Sequence, residues 1–201
     1  MKTDFLNLKW LRIDEFEESV HSLELSVELF NGLTLNSDYY QWVWVLITLH
    51  NALQGFMVLA LRGTNGLNVL KPKCAQAWLE AYDKKMEYPI PVLDTFSNLY
   101  KKIKSDNMDL YFDSKRFKPM RTQETSIKQL NRFRNEFIHF IPANMSIEIS
   151  GFPNILKECM EIIEFLAFES NNIQWQIHDH EDLENKTRKL ITKAKSILIN
   201  F

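Results

Sequence analysis

Apolar residues recur with a helical period along most of this chain. Between residues 14 and 33 they follow the i, i+3, i+4, i+7 spacing that places side chains on one face of an α-helix. The Asn31-Gly32 pair near the end of this segment is a typical stop signal. One stripe therefore predicts an amphipathic helix with its core-facing positions at Phe16, Val20, Leu23, Val27 and Phe30.

The same period predicts six more helices. They cover residues 39–61, 73–86, 92–104, 122–140, 151–169 and 182–199. Residues 105–121 have no clean period and predict an ordered loop, and the alternating residues 145–149 predict a short extended connector. With only 5 Gly and 6 Pro, the chain has few breakers. We expect an all-α bundle of five to seven helices, in a single domain over residues 1–201.

The predicted second helix is uncharged from Tyr39 to Leu61, which is long enough to cross a bilayer. His50, Asn51 and Gln54 fall at its middle, however, where polar groups cost most in lipid. We therefore predict a central helix of a soluble bundle, surrounded by the other helices, rather than a membrane span.

Composition narrows the function classes. The chain is 45% hydrophobic, 12% aromatic and 25% charged, as in ordinary globular domains and unlike disordered ones. The net charge of −2 excludes coating of nucleic acid through bulk positive charge, so such a role needs a local site.

Cys74 and Cys159 make no disulfide framework and predict buried, reduced thiols. With no signal-peptide pattern at residues 1–10, the expected location is the cytoplasm.

The predicted helix 122–140 carries the most informative string, LNRFRNEFIHFIP at residues 130–142. Its polar stripe holds Asn131, Arg134, Asn135 and His139, and a long arginine side chain allows Arg134, Asn135 and His139 to line one groove. His139 lies in the last turn, where the helix dipole favours its protonated form. An imidazole beside a fixed cation and an amide suits proton transfer next to a phosphate. The alternative is an exposed polar face whose histidine only caps the helix.

This string resembles the HEPN superfamily (higher eukaryotes and prokaryotes nucleotide-binding domains). Those helical bundles have an Arg, four to six residues and then a His near the end of a late helix, often with a polar residue after the Arg. Arg134 and His139 match the shortest spacing, with Asn135 as the polar residue. Arg132 matches the longest spacing, but Phe133 follows it.

The resemblance implies a metal-independent endoribonuclease, without a cofactor, whose site pairs two motifs across a homodimer. It implies that His139 transfers protons at the ribose 2′-OH or the leaving oxygen and that Arg134 stabilises charge on the phosphate. Asn135 would orient either group. A toxin or defence role, with an antitoxin or nucleotidyltransferase partner, follows from the resemblance alone. Other members only bind nucleotides or RNA, or act as interaction modules.

Three further clusters accompany the motif. His50, Asn51 and Gln54 can support the site from the central helix, or form a satisfied core cluster. Residues 111–121 interleave aromatic with basic side chains, which suits single-stranded RNA, although a solvated loop pinned by its aromatics fits equally. The possible RNA contacts there are Lys115, Arg116, Lys118 and Arg121.

Residues 178–182 (HDHED) suggest a metal site, but no third ligand stands at zinc-type spacing, so we expect a hydrated loop. The basic helix 182–199 is expected to dock as an appendage on the bundle with a solvated face. A dimer or partner contact is the alternative for this helix.

The leading hypothesis is thus a toxin- or defence-type endoribonuclease. The main rival is a non-catalytic nucleotide- or RNA-binding module of the same fold, and the third is a structural helical protein that matches the motif by chance.

Overall fold

The structure is a computed structural model that describes residues 10–11, 13–35, 38–120, 122–139, 146–176 and 180–199. It confirms the predicted all-α architecture, and its described part contains seven α-helices. They are α1 (Glu15–Leu35), α2 (Gln41–Leu61), α3 (Pro72–Lys84), α4 (Phe96–Lys102), α5 (Gln123–Ile138), α6 (Phe152–Glu164) and α7 (Glu181–Leu198).

Helices α1 and α2 form the most extensive helix pair of the bundle. The predicted stripe of α1, from Phe16 to Phe30, is buried at every position. Gly55 of α2 lies so close to α1 that a Cβ at this position would be 2.2 Å from the Ser19 hydroxyl oxygen. A larger residue would therefore force the two helices apart.

Helix α2 lies at the centre of the fold and contacts α1, α4, α5 and α6. Its length and composition would suit a membrane span, yet 67% of its most apolar window is buried inside the protein. The prediction that other helices surround it is wrong on one side, where Trp44 is 52% exposed and Asn51 is also exposed.

The predicted helix 92–104 is shorter in the structure, where α4 begins at Phe96. The preceding residues are extended instead, since the Lys71 amide donates to the Val92 carbonyl and the Asp94 amide to the Val69 carbonyl, each at 2.9 Å. Leu70 and Leu93 form an isolated antiparallel bridge there. The Thr95 side chain then caps α4 by accepting from the Asn98 amide.

Helices α5 and α6 pack against each other and against α2, and α7 packs on α1 and α6. Helix α6 continues as a π-helical turn, Phe165–Glu169, so the predicted end at residue 169 is correct. Residues 105–120 form the predicted ordered loop, with one 3-10 turn at Asp106–Met108. The connector is described only from residue 146, where the backbone is irregular.

The remaining structural predictions concern helix α7 and the two cysteines. Helix α7 packs on α1 and α6 through an apolar face that includes Leu190, Ile191 and Ala194. Cys159 is buried as expected. Cys74 is only half-buried, because the extended segment beside it covers one side of the thiol, whose sulfur accepts from the Val92 amide at 3.4 Å.

Candidate functional site

A polar groove of about 430 Å³ opens where α5 crosses α2 beside the first turn of α4. Most of its lining side chains carry hydrogen-bonding groups, and one of them carries a full positive charge. We call this feature the Arg134 groove; its lining residues are His50, Gln54, Thr95, Phe96, Ser97, Asn131, Arg134 and Asn135.

Arg134 is half-buried in this groove. Its Nη1 donates to the Asn135 side-chain oxygen at 3.1 Å. Its Nε is buried and has no hydrogen-bond partner among the described residues. A buried donor without a partner is costly, and a planar guanidinium is suited to phosphate or carboxylate oxygens. The groove therefore holds a cation with capacity left for an anionic ligand.

His50 forms the floor of the groove and is only 3% exposed. Its ring stacks on Phe96 of α4, with ring centroids 4.0 Å apart, and its Nε2 lies 3.1 Å from Asn131 Oδ1 of α5. Burial, and to a smaller degree the charge of Arg134, lowers the pKa of His50 to about 4. The ring is therefore neutral at physiological pH, and it ties α2, α4 and α5 together.

The α4 wall of the groove rests on a buried ion pair. Asp94 directly precedes this wall, and its carboxylate lies 2.8 Å from Lys102 Nζ, which also donates to the carbonyls of Asn68 and Leu70. Although burial opposes ionisation, the hydrogen bonds from Lys102, Asn98 and the Thr95 amide outweigh it and lower the pKa of Asp94. The wall is thereby fixed before any ligand binds.

The structure brings only some of the predicted site residues together. Arg134 and Asn135 line the groove, and His50 and Gln54 join them from α2. His139 caps the C-terminal end of α5, is exposed and does not line the groove. Asn51 is exposed and also lies outside the groove lining.

A second groove, of about 690 Å³, borders the predicted RNA-contact loop. Lys115, Arg116 and Lys118 line one part of it, but Glu161, Glu164 and Glu169 also line it. We call it the Lys115 groove. Arg116 Nε donates to Asp109 at 2.8 Å, and this pairing lowers the pKa of Asp109. The basic side chains thus share their groove with carboxylates.

The aromatic residues of this loop behave differently from one another. Phe117 is buried against Phe165 and pins the loop to the bundle, whereas Phe112 is fully exposed and Tyr111 is 37% exposed. Arg121 lies outside the described residues. The pinned-loop interpretation is therefore correct for Phe117, and two aromatic side chains remain accessible.

The possible metal site at residues 178–182 is only partly described, because His178 and Asp179 lie outside the described residues. The ring of His180 packs against Phe16, with centroids 4.4 Å apart. Within the described part of the chain, no group of three or more His, Cys, Asp or Glu side chains is arranged to hold a metal ion.

Sequence reasoning missed Asn131, Thr95, Phe96 and Ser97 as groove residues. Asn131 stands on the same polar stripe as Arg134, which is a signal that could have identified it. The α4 residues carry no such signal, because their position depends on where the extended segment before α4 ends.

Comparison with known proteins adds no further assignment. No protein-family model, curated protein or solved structure matches this chain.

Proposed function

We propose that this protein is a metal-independent endoribonuclease of toxin or defence type, with Arg134, Asn135 and His139 as its catalytic residues. The observation that carries the proposal is the half-buried Arg134, whose Nε lacks a partner among the described residues, in a groove whose other described lining groups are neutral. A guanidinium in such a setting stabilises negative charge on a phosphate more strongly than one in bulk water. The HEPN-like motif around it supplies the imidazole.

The chemistry requires no external nucleophile. The ribose 2′-oxygen attacks the adjacent phosphorus, the bond from phosphorus to the 5′-oxygen breaks, and a 2′,3′-cyclic phosphate and a 5′-hydroxyl result. His139 would remove the 2′-proton or protonate the leaving oxygen, because one imidazole nitrogen can accept a proton and the other can donate one. Arg134 would stabilise the charge that develops on the phosphate, and Asn135, which accepts from Arg134, would hold the guanidinium in place.

A homodimer accounts for the separation of the two functional groups. His139 follows Arg134 by five residues, about 7.5 Å along the helix axis, and lies outside the groove. A second copy can bring its own His139 to the groove of the first. Exposed apolar and aromatic side chains are available for such pairing, since Tyr40, Trp44 and Ile138 are 62%, 52% and 43% exposed.

The same separation favours the alternative, a non-catalytic module that binds RNA or nucleotides beside a partner protein. If His139 never reaches the groove, the remaining groups bind a phosphate but transfer no proton. Tight binding of an oligoribonucleotide or nucleotide without cleavage would identify this alternative. An antitoxin or a nucleotidyltransferase is the partner that the HEPN resemblance suggests.

RNA cleavage by the purified protein in excess EDTA tests the proposal. We expect cleavage that leaves 2′,3′-cyclic phosphate ends and that His139→Ala abolishes. His21→Ala is the matched control, because His21 is an exposed histidine on α1, far along the chain from the motif. Cleavage that needs a divalent metal, or that survives in His139→Ala, contradicts the mechanism.

Expression in a bacterial host tests the proposed biological role separately. A toxin-type ribonuclease slows growth, and the effect disappears in Arg134→Ala and His139→Ala. If wild type and both variants slow growth equally, the effect comes from expression of the protein rather than from cleavage.

A further inference from the structure

Asn131 lines the Arg134 groove from the turn of α5 that precedes Arg134. Residues three apart on a helix share a face, so both side chains reach the same part of the groove. Asn131 is half-buried, and its partner in the fold, His50, stands 81 residues earlier in the chain. This contact joins α2 to α5 at the floor of the groove.

The hydrogen bond between the two side chains has a preferred direction. The other ring nitrogen of His50, Nδ1, is buried without a partner among the described residues. A proton on Nδ1 would leave a buried donor unpaired, which is rarer in proteins than an unpaired acceptor. His50 therefore donates from Nε2 to Asn131 Oδ1.

This direction fixes the orientation of the Asn131 amide. With Oδ1 engaged by His50, the group left for a ligand is the Nδ2 amide, which donates to none of the described residues. The Asn131 Nδ2 amide and the buried, unpartnered Arg134 Nε then belong to adjacent turns of one helix in one groove.

We propose that Asn131 is a further ligand-binding residue, that its Nδ2 amide donates to the same RNA phosphate as Arg134, and that His50 is the positioning residue that holds it. This inference rests on the proposed function for the identity of the ligand. It differs from that proposal because Asn131 and His50 stand outside the Arg134–His139 motif.

The charge balance of the groove fits this ligand. Among the described residues that line it, Arg134 is the only permanently charged one, since the neighbours are amides, hydroxyls, Phe96 and a histidine that is neutral at physiological pH. One guanidinium balances the single negative charge of a phosphodiester, and a neutral amide adds a hydrogen bond without overcompensating that charge.

Binding of an uncleavable oligoribonucleotide, with 2′-O-methyl groups on every ribose, tests the role of Asn131. Asn131→Asp keeps the oxygen that accepts from His50 but replaces the donor with a negative oxygen, so we expect the dissociation constant to rise at least about tenfold. Asn131→Leu, which only removes the donor, should weaken binding by about tenfold or less. Gln129→Glu adds the same charge on an exposed position of α5 and should change affinity less than about twofold.

Nitrogen NMR of the histidine rings gives a readout that does not depend on RNA. In the wild type we expect neutral His50 with its proton on Nε2. In Asn131→Asp the new carboxylate lies beside Nε2 and should raise the pKa of His50. An Nδ1-protonated ring in the wild type would overturn the proposed orientation of Asn131.

Paired His50 variants test positioning. His50→Phe keeps a ring to stack on Phe96 but loses the donor to Asn131, whereas His50→Gln keeps a donor. We expect weaker RNA binding in His50→Phe and partial restoration in His50→Gln. Equal affinity of the two variants would show that His50 does not act through its hydrogen bond.

The outcomes separate this inference from the proposed function. If Arg134→Ala loses RNA binding while Asn131→Asp and Asn131→Leu bind like wild type, the role of Asn131 is wrong and the groove remains the RNA site. If Arg134→Ala also binds like wild type, the groove is not the RNA site and both proposals fail. If Gln129→Glu weakens binding as much as Asn131→Asp, the effect is one of overall charge and the inference is wrong.

Discussion

Arg134 and Arg116 both lie beside grooves, yet the fold treats the two guanidinium groups in opposite ways. Arg116 is about half exposed and paired with Asp109, in a groove that three glutamates share. Arg134 is half-buried, its Nε lacks a partner in the part of the chain that the structure describes, and the other described residues of its groove are neutral. A cation binds a ligand more strongly when the fold leaves its charge and its hydrogen-bond donors without partners. The number of basic residues in a segment does not show whether such partners are present.

The largest expected effect concerns the way in which His139 reaches the Arg134 groove. Removal of a catalytic acid or base costs about 10²- to 10⁴-fold in rate, so His139→Ala should lose nearly all cleavage but keep RNA affinity. Mixing it with Arg134→Ala should restore part of the activity, because one site of the mixed dimer has an intact Arg134 and an intact His139. The measurement is the cleavage rate of each variant alone and of the two after co-refolding.

A mixture no more active than its components would mean that the two groups act within one chain or that no composite site forms. The oligomeric state of the wild type, from light scattering, is the control, since a strict monomer excludes pairing across two copies.

The second effect concerns the preformed floor of the Arg134 groove. The pKa of His50 is about 4 in the fold against an ordinary value of 6.5. Between these pH values the unfolded chain binds more protons than the folded one. The part of the free energy of unfolding that depends on a neutral His50 is therefore present above pH 6.5 and is lost as the pH falls. His50 alone removes up to about 3 kcal/mol of the free energy of unfolding over this interval.

Urea denaturation at pH 7.0, 5.5 and 4.5 measures this loss. The decrease should be smaller in His50→Gln, which does not titrate. Asp94 acts in the same direction at lower pH, because its pKa is lowered in the fold and its stabilisation is lost as it becomes protonated. If the free energy of unfolding falls equally in wild type and in His50→Gln, His50 is not the source of the pH dependence.

A smaller effect is expected for Gln54, which reaches the groove from α2 but bears no charge. Gln54→Ala should slow RNA cleavage by about three- to tenfold and leave the melting temperature nearly unchanged, since loss of one neutral hydrogen bond costs about 1 kcal/mol. Gln76→Ala, at an exposed position of α3, is the matched control. A cleavage rate equal to wild type would show that Gln54 plays no part in the site.

The smallest effect is expected in the Lys115 groove. The double variant Lys115→Ala/Arg116→Ala should change the dissociation constant for single-stranded RNA by less than about twofold, because carboxylates already offset these charges. The slope of log affinity against log salt should stay the same, whereas each lost phosphate contact would lower it by about 0.7. A clear fall in both the affinity and the slope would show that this loop is part of the RNA-binding surface.

The sequence predicted the helices well because each buries a local stripe, and Phe16 to Phe30 of α1 are a direct example. It missed the start of α4, which depends on backbone hydrogen bonds to residues 69 and 71. It placed Arg134 and Asn135 on one helix face from their spacing. It did not pair His50 with Asn131, since no local pattern relates residues 81 positions apart.

The electrostatic setting was the least predictable feature. Basic residues near 115 are visible in the sequence, but the glutamates that line the same groove belong to α6 and its π-helical turn, much later in the chain, at Glu161, Glu164 and Glu169. His139 was expected to share a groove with Arg134 because the long arginine side chain can reach across the angle that separates the two positions on the helix. The end of α5 instead places it outside the groove, where the axial distance along the helix separates the two side chains.

The most direct test of the Arg134 groove is RNA cleavage by Arg134→Ala beside Arg132→Ala. Both arginines lie on α5 and both match a HEPN-type spacing to His139, but Arg132 is exposed and its Nε lies 3.6 Å from Glu136. We predict that Arg134→Ala lowers the cleavage rate by about 10²- to 10³-fold and that Arg132→Ala changes it less than about twofold. Equal effects of the two substitutions, or a larger loss in Arg132→Ala, would contradict the assignment of this groove as the active site.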